Sequence, residues 1–240
     1  FLGDQDLTAR PYFSSRLHEL DLATLAVTEV LADPWIEAAA YAPDGSARLL
    51  LRGSPSAFDN LGLALPAGTQ PNDYGGQLYL FDRASGQARA LTRELGPDVA
   101  SFAWSRADGR IYALCIDGKF QRLYRREARD GAAWEPVPGG DDLVEEFDLA
   151  LAAPVAATRG TGANQPSRAH VIDLKARRAR LLAEPGAEAW RDVAFGRWES
   201  WAAALPGGET LDGHVYYPPD FDPARRYPLI VFYYGATSPV

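Results

Sequence analysis

Three histidines, one cysteine and a few adjacent carboxylates are the side chains of this sequence that could do chemistry. His18, His170 and His214 lie far apart and form no HExxH or HxH pair, so the chain carries no zinc-peptidase motif. The single cysteine, Cys115, excludes an internal disulfide framework and a cysteine-rich zinc site. Within the apolar run Ile111–Ile116 it reads as a small buried hydrophobe. Glu145-Glu146 could hold an ammonium group through charge-assisted hydrogen bonds. Asp141-Asp142 with Glu145 offers carboxylates to a cation, but without the alternating oxygen ligands of a calcium loop. Both acidic groups are therefore expected to be solvated turns or strand edges. No Gly-x-Ser-x-Gly occurs, and a strained nucleophile elbow needs small residues on either side of its serine. Nothing calls for a metal or another cofactor.

The elements around these residues read as strands. Leu17–Ala23, Ala47–Arg52, Gln77–Arg83, Val99–Ser105, Arg110–Ile116, Phe120–Arg126, Arg168–Leu174 and Gly213–Tyr217 are short and apolar or alternating. Turn dipeptides such as Asp44-Gly45, Ser85-Gly86 and Asp108-Gly109 separate them, and no long amphipathic helix pattern appears. A phrase of apolar strand, charged residue and turn recurs at Asp21, Asp82, Arg125 and Asp173. Once the Pro/Gly/Asn-rich stretch Ser54–Gly76 is set aside, the spacing fits propeller blades of roughly 40–50 residues. A second phrase, Ala40-Tyr41-Ala42-Pro43-Asp44-Gly45, lies half a period from the first and returns around Phe102–Gly109 and, degenerate, at Glu146–Ala150 and Asp192–Phe195. Four strands per unit make a β-propeller blade. The expectation is three nearly whole blades at about 36–97, 98–142 and 143–188, with half-blades on either side, so three to four blades are visible. An open arc leaves unpaired sheet edges, which places the rest of the ring outside this sequence. The six tryptophans, Trp104, Trp198 and Trp201 among them, fit blade packing, since no basic groove accompanies them.

Composition agrees with a folded, non-nucleic-acid-binding chain. Its 240 residues are 47% hydrophobic and 23% charged, with a net charge of −8 that repels phosphate backbones. No run approaches the roughly 18 apolar residues of a membrane helix. Methionine is absent, residue 1 is Phe and the chain ends at Val240. The expectation is an excised segment whose targeting signal, if any, lies upstream. A lone cysteine suits the cytoplasm or the periplasm equally, so the compartment stays open.

The pattern changes near 206–212. Gly213–Tyr217 reads as a strand, Pro218–Pro223 as a rigid connection, and Arg226–Tyr234 as a continuous apolar strand of the kind covered on both faces. The reading is therefore mainly β. Residues 1–208 are the C-terminal part of a β-propeller, and 209–240 open an α/β-hydrolase domain.

The run Leu211-Asp212-Gly213-His214-Val215-Tyr216-Tyr217-Pro218-Pro219-Asp220-Phe221-Asp222-Pro223, followed by Tyr227–Gly235, resembles the propeller-to-hydrolase junction of the prolyl oligopeptidase family. That family includes dipeptidyl peptidases and acylaminoacyl peptidases. The resemblance implies a serine peptidase in which a propeller gates access for short peptides. Family members often cleave after proline or release N-terminal dipeptides. It also implies that Tyr234 donates its phenol to the oxyanion of the tetrahedral intermediate, and that the Ser, Asp and His of the triad lie beyond Val240. This segment alone would lack the triad.

On its own pattern, Tyr234 is equally an ordinary strand tyrosine. Ala236 stands where the family often has a second glycine, which leaves the loop conformation open. Glu145-Glu146 lacks the aromatic context of the family's acidic pair, so that role is not carried over. His214 reads as structural. The stretch Ser54–Gly76, with Phe58, Asp59, Asn60, Asn72, Asp73 and Tyr74, is either a binding loop or a plain surface excursion. The implied partner is a peptide substrate, with self-association through either domain compatible with the sequence. Two alternatives stay open: a propeller binding module on a degenerate hydrolase domain, and a non-peptidase esterase.

Overall fold

The computed structural model describes residues 1–8, 12–63, 75–208 and 210–232. Among them are seventeen strands and two four-residue helical turns, Ala57–Asn60 and Ala187–Trp190. The chain forms two compact units. The first comprises Phe1–Cys115, Tyr124–Pro136 and Leu149–Pro154. The second comprises Ile116–Leu123, Val137–Asp148 and Val155–Val240.

The first unit begins with a three-stranded meander, β1 (Leu2–Asp6), β2 (Phe13–Leu20) and β3 (Val27–Leu31). A four-stranded meander follows: β4 (Ile36–Tyr41), β5 (Arg48–Gly53), β6 (Gln77–Asp82) and β7 (Gln87–Ala90), paired in chain order and antiparallel. Its central strands are buried on both faces, and the strand period of two sorts their side chains into separate cores. Leu50 and Leu78 join Val99, Ile111, Ala113 and Cys115. Leu49, Leu51, Tyr79 and Phe81 join Leu17 and Ile36 instead. Tyr79 is fully buried and satisfies its hydroxyl by donating to the Ser54 carbonyl at 2.7 Å. Cys115 is buried, as its apolar run predicts.

The next meander in chain order is β8 (Asp98–Trp104), β9 (Arg110–Asp117), β10 (Phe120–Glu127) and β11 (Glu135–Val137). The second unit carries β12 (Leu143–Leu149), β13 (Val155–Gly162), β14 (Gln165–Asp173) and β15 (Arg178–Ala183), with β13–β14 and β14–β15 antiparallel. Gln121 of β10 pairs in parallel with Leu143 of β12. The three four-strand meanders open at Ile36, Asp98 and Leu143, the positions at which the sequence repeat places its units.

The recurring phrase has a local cause. Asp82 and Asp173 end a strand, Asp21 directly follows one, and each accepts two amide hydrogens from the turn that follows. Asp21 takes Ala23 and Thr24 at 2.8 and 2.9 Å, Asp82 takes Ala84 and Ser85 at 2.8 and 3.0 Å, and Asp173 takes Lys175 and Ala176 at 2.9 and 2.7 Å. The fourth residue after each aspartate is left-handed: Leu25 at φ 57°, Gly86 at φ 70° and Arg177 at φ 56°. Glycine takes that conformation without steric cost; leucine and arginine do not.

Two expectations need correction. Leu229–Phe232, read as a continuous strand, forms no strand in the described residues and is 71–91% exposed. A strand exists only through ladder partners, and among the described residues no strand pairs with this segment. Trp198 and Trp201 do not pack a blade. They lie on β16 (Trp198–Ala204), which pairs only with β17 (Thr210–Tyr216) in a separate two-stranded sheet. The expected division at 208/209 falls inside the turn of this hairpin.

Candidate functional site

The hairpin supplies one wall of a cavity of about 140 Å³ in the second unit. Trp198 and Tyr216 come from it, Lys119 and Phe120 from the turn entering β10, and Thr161 from the end of β13. His214 lies among them on β17. The Trp198 ring meets its imidazole edge-on, with centroids 4.9 Å apart and planes at 80°. Phe120 approaches from another side at 6.1 Å and 72°. The Arg122 guanidinium stacks 4.1 Å over Phe120, and Lys119 pairs with Asp212 of β17 at 3.4 Å. The Nδ1 of His214 is buried with no hydrogen-bond partner among the described residues. A buried nitrogen of this kind is costly unless something bonds it. Neither serine nor cysteine lines the cavity. Among the described residues it holds no Ser–His or Cys–His pair.

The other histidines are held differently. His18 stacks on Phe1 at 5.2 Å in the first unit. His170 is buried on β14 with its Nδ1 3.2 Å from Asp141 Oδ2. Asp141 Oδ1 accepts Arg168 Nε at 2.9 Å. The carboxylate pair Asp141-Asp142 is thus divided. Asp141 is 1% exposed and engaged by side chains of β14, while Asp142 lines the cavity. No group of three or more potential metal ligands occurs among the described residues.

Glu145 and Glu146 share one cation. Arg159 on the neighbouring β13 bonds Glu145 through Nη1 and Glu146 through Nη2 at 2.8 Å. That hydrogen bond and the arginine's charge hold the Glu146 carboxyl below its usual range. The acidic pair is an exposed part of β12 bridged by one arginine, and not a free anchor for an ammonium group. Of the stretch 54–76, the described part makes a left-handed turn at Phe58, Asp59 and Asn60, with φ of 51°, 57° and 64°. The Phe58 amide donates to Asp33 at 2.7 Å, and its ring packs 5.3 Å from Tyr79. Asn72, Asp73 and Tyr74 lie outside the described residues, and so does Tyr234. The aromatic surround of His214 comes from β10, β16 and β17 together, so no local sequence signal marks it.

No family model matches the sequence, and no curated protein does. Solved structures do match. Puromycin hydrolase aligns with a TM-score of 0.57 and 18% identity over 90% of this chain and 32% of its own. The β-propeller domain of the trilobed protease from Pyrococcus furiosus gives 0.53 and 14% over 77% and 48%. TolB from Acinetobacter baumannii gives 0.53 and 12% over 72% and 40%. The shared fold is the β-propeller. This chain spans less than half the length of each of these three structures.

Proposed function

We propose that the chain is a propeller arc running into the start of an α/β-hydrolase domain, within a serine peptidase that cuts short peptides. One observation carries this reading. Meanders opening at Ile36, Asp98 and Leu143 are followed in the same chain by the β16–β17 hairpin and the Tyr-Tyr-Pro-Pro junction, on a fold shared with a hydrolase over 90% of this chain. The pairing of β16 with β17 supports a hydrolase part that opens at Trp198 rather than at residue 209.

In this reading the propeller limits entry to oligopeptides, with cleavage after proline or release of N-terminal dipeptides as the finer alternatives. Tyr234 is the oxyanion donor. The tetrahedral intermediate concentrates negative charge on the former carbonyl oxygen, and a preorganised phenol O–H shares it. The second donor, the nucleophile and its base are supplied from outside these residues, since no Gly-x-Ser-x-Gly occurs here.

The full-length protein, treated with a fluorophosphonate probe and then given chromogenic esters and short peptides, tests the assignment. Labelling together with peptide turnover is expected. Turnover of esters alone would make it an esterase. Absence of labelling would leave the propeller as a binding module.

A further inference from the structure

The first unit buries a cation that no carboxylate of the described residues neutralises. Arg126 is 8% exposed. Its Nε donates to the Glu127 carbonyl at 3.2 Å, its Nη1 to the Leu91 carbonyl at 3.2 Å and its Nη2 to the Arg129 carbonyl at 3.0 Å. Those bonds use three of five N–H donors and leave one on each terminal nitrogen, the number a bidentate carboxylate takes. Among the described residues no Asp or Glu pairs with it. Trp134 lies 5.6 Å from the guanidinium and donates its own Nε1 to the Leu91 carbonyl at 2.8 Å, which fixes the group from one side. Burial, together with the positive charges of Arg89 and Arg129, pushes the Arg126 pKa down. The local field therefore favours an anion.

Over this group opens a cavity of about 500 Å³. Arg89 and Arg93 line it with Arg126, against one carboxylate, Glu94, and its apolar wall includes Leu61 and Ala132. Arg89 is paired with the exposed Asp130, and Arg93 has no partner among the described residues. A charge taken out of water is costly unless a counter-charge meets it. Here space, a surplus of cations and two unused donors coincide.

We infer that this cavity is a binding site for a carboxylate carried on a small apolar body, either the free C-terminus of a short peptide or a small organic acid, with Arg126 as the bidentate anchor. The site is built from residues of the first unit alone and does not depend on the hydrolase reading.

The test is calorimetric titration of the full-length protein at low salt with N-acetyl-Ala-Ala, with its C-terminal amide, and with benzoate. The free acid is expected to bind and the amide not to. Benzoate binding would show that any small carboxylic acid suffices, whereas binding of the peptide acid alone would assign the site to peptide C-termini. Arg93 and Glu94 are both exposed, so their variants leave the fold intact. Arg93→Gln is expected to weaken binding roughly fivefold, and Glu94→Gln to tighten it roughly threefold. Arg126→Lys, which keeps the charge and loses the fork, is expected to weaken it further. Equal binding of acid and amide, no binding of any acid, or a dissociation constant indifferent to both surface variants would overturn the assignment.

Discussion

Gly140 lies directly beneath the imidazole of His170. A Cβ at residue 140 would meet the ring's Nδ1 at 2.5 Å and its Cδ2 at 2.7 Å, and the glycine itself sits at φ 92°. Both the space and the backbone conformation therefore demand glycine. Gly140→Ala combines overpacking with a left-handed strain and is expected to cost about 2–4 kcal/mol. A urea titration of the full-length protein measures it. A loss below about 1 kcal/mol would mean that the two groups are not held together in solution.

Asp141, next in the chain, is the buried counter-charge of Arg168 and faces His170 as well. Removing one partner of a buried pair leaves the other uncompensated, so Asp141→Ala is expected to destabilise by about 3 kcal/mol. Glu146→Gln, which loosens a pair exposed to water, should change stability far less. Equal effects from the two variants would contradict the burial difference.

Leu25 holds the left-handed position that Gly86 holds in the matching turn of the next meander, and its side chain is 71% exposed. Leu25→Gly relieves strain and gives up no core contact, although glycine gains entropy in the unfolded chain. A net gain of about 0.5 kcal/mol is expected. A fall in thermal midpoint would show that the turn differs from that of Asp82–Gly86.

Asp44 is the clearest pH-sensitive group. The Ser46 hydroxyl and amide bond its carboxylate, Arg48 adds its charge, and its pKa falls from 3.8 to about 2. A depressed pKa means that the folded state prefers the ionised form. The contribution is therefore complete above about pH 4 and is lost as the pH falls through about 2. Carboxyl-carbon NMR should place the Asp44 midpoint near 2, and Asp44→Ala should flatten the acid limb of the stability curve over that window. A midpoint near 3.8 would remove the turn network as its cause.

Under the proposed peptidase reading, Tyr234→Phe in the full-length enzyme should lower kcat by roughly a hundredfold, with KM little changed. Unchanged turnover would remove the oxyanion role from Tyr234.

What the sequence determined by itself was whatever is decided within a few residues. The aspartates 21, 82 and 173 cap turns through amides two and three positions on, so the blade rhythm is written locally. The buried run around Cys115 and the exposed acidic pair Glu145-Glu146 follow from strand patterning in the same way. Tertiary structure alone decided the rest, because the partners are distant in the chain. Arg126 is buried where it bonds the distant Leu91 carbonyl and shares a cavity lining with Arg93. The imidazole of His214 gains its aromatic walls from Trp198 and Phe120, and Asp141 is buried by Arg168 and His170. Leu229–Phe232 shows the converse, since an apolar run with strong strand propensity forms no strand where no described strand pairs with it. Propensity and turn chemistry act along the chain; charge compensation and strand pairing depend on what the fold brings alongside.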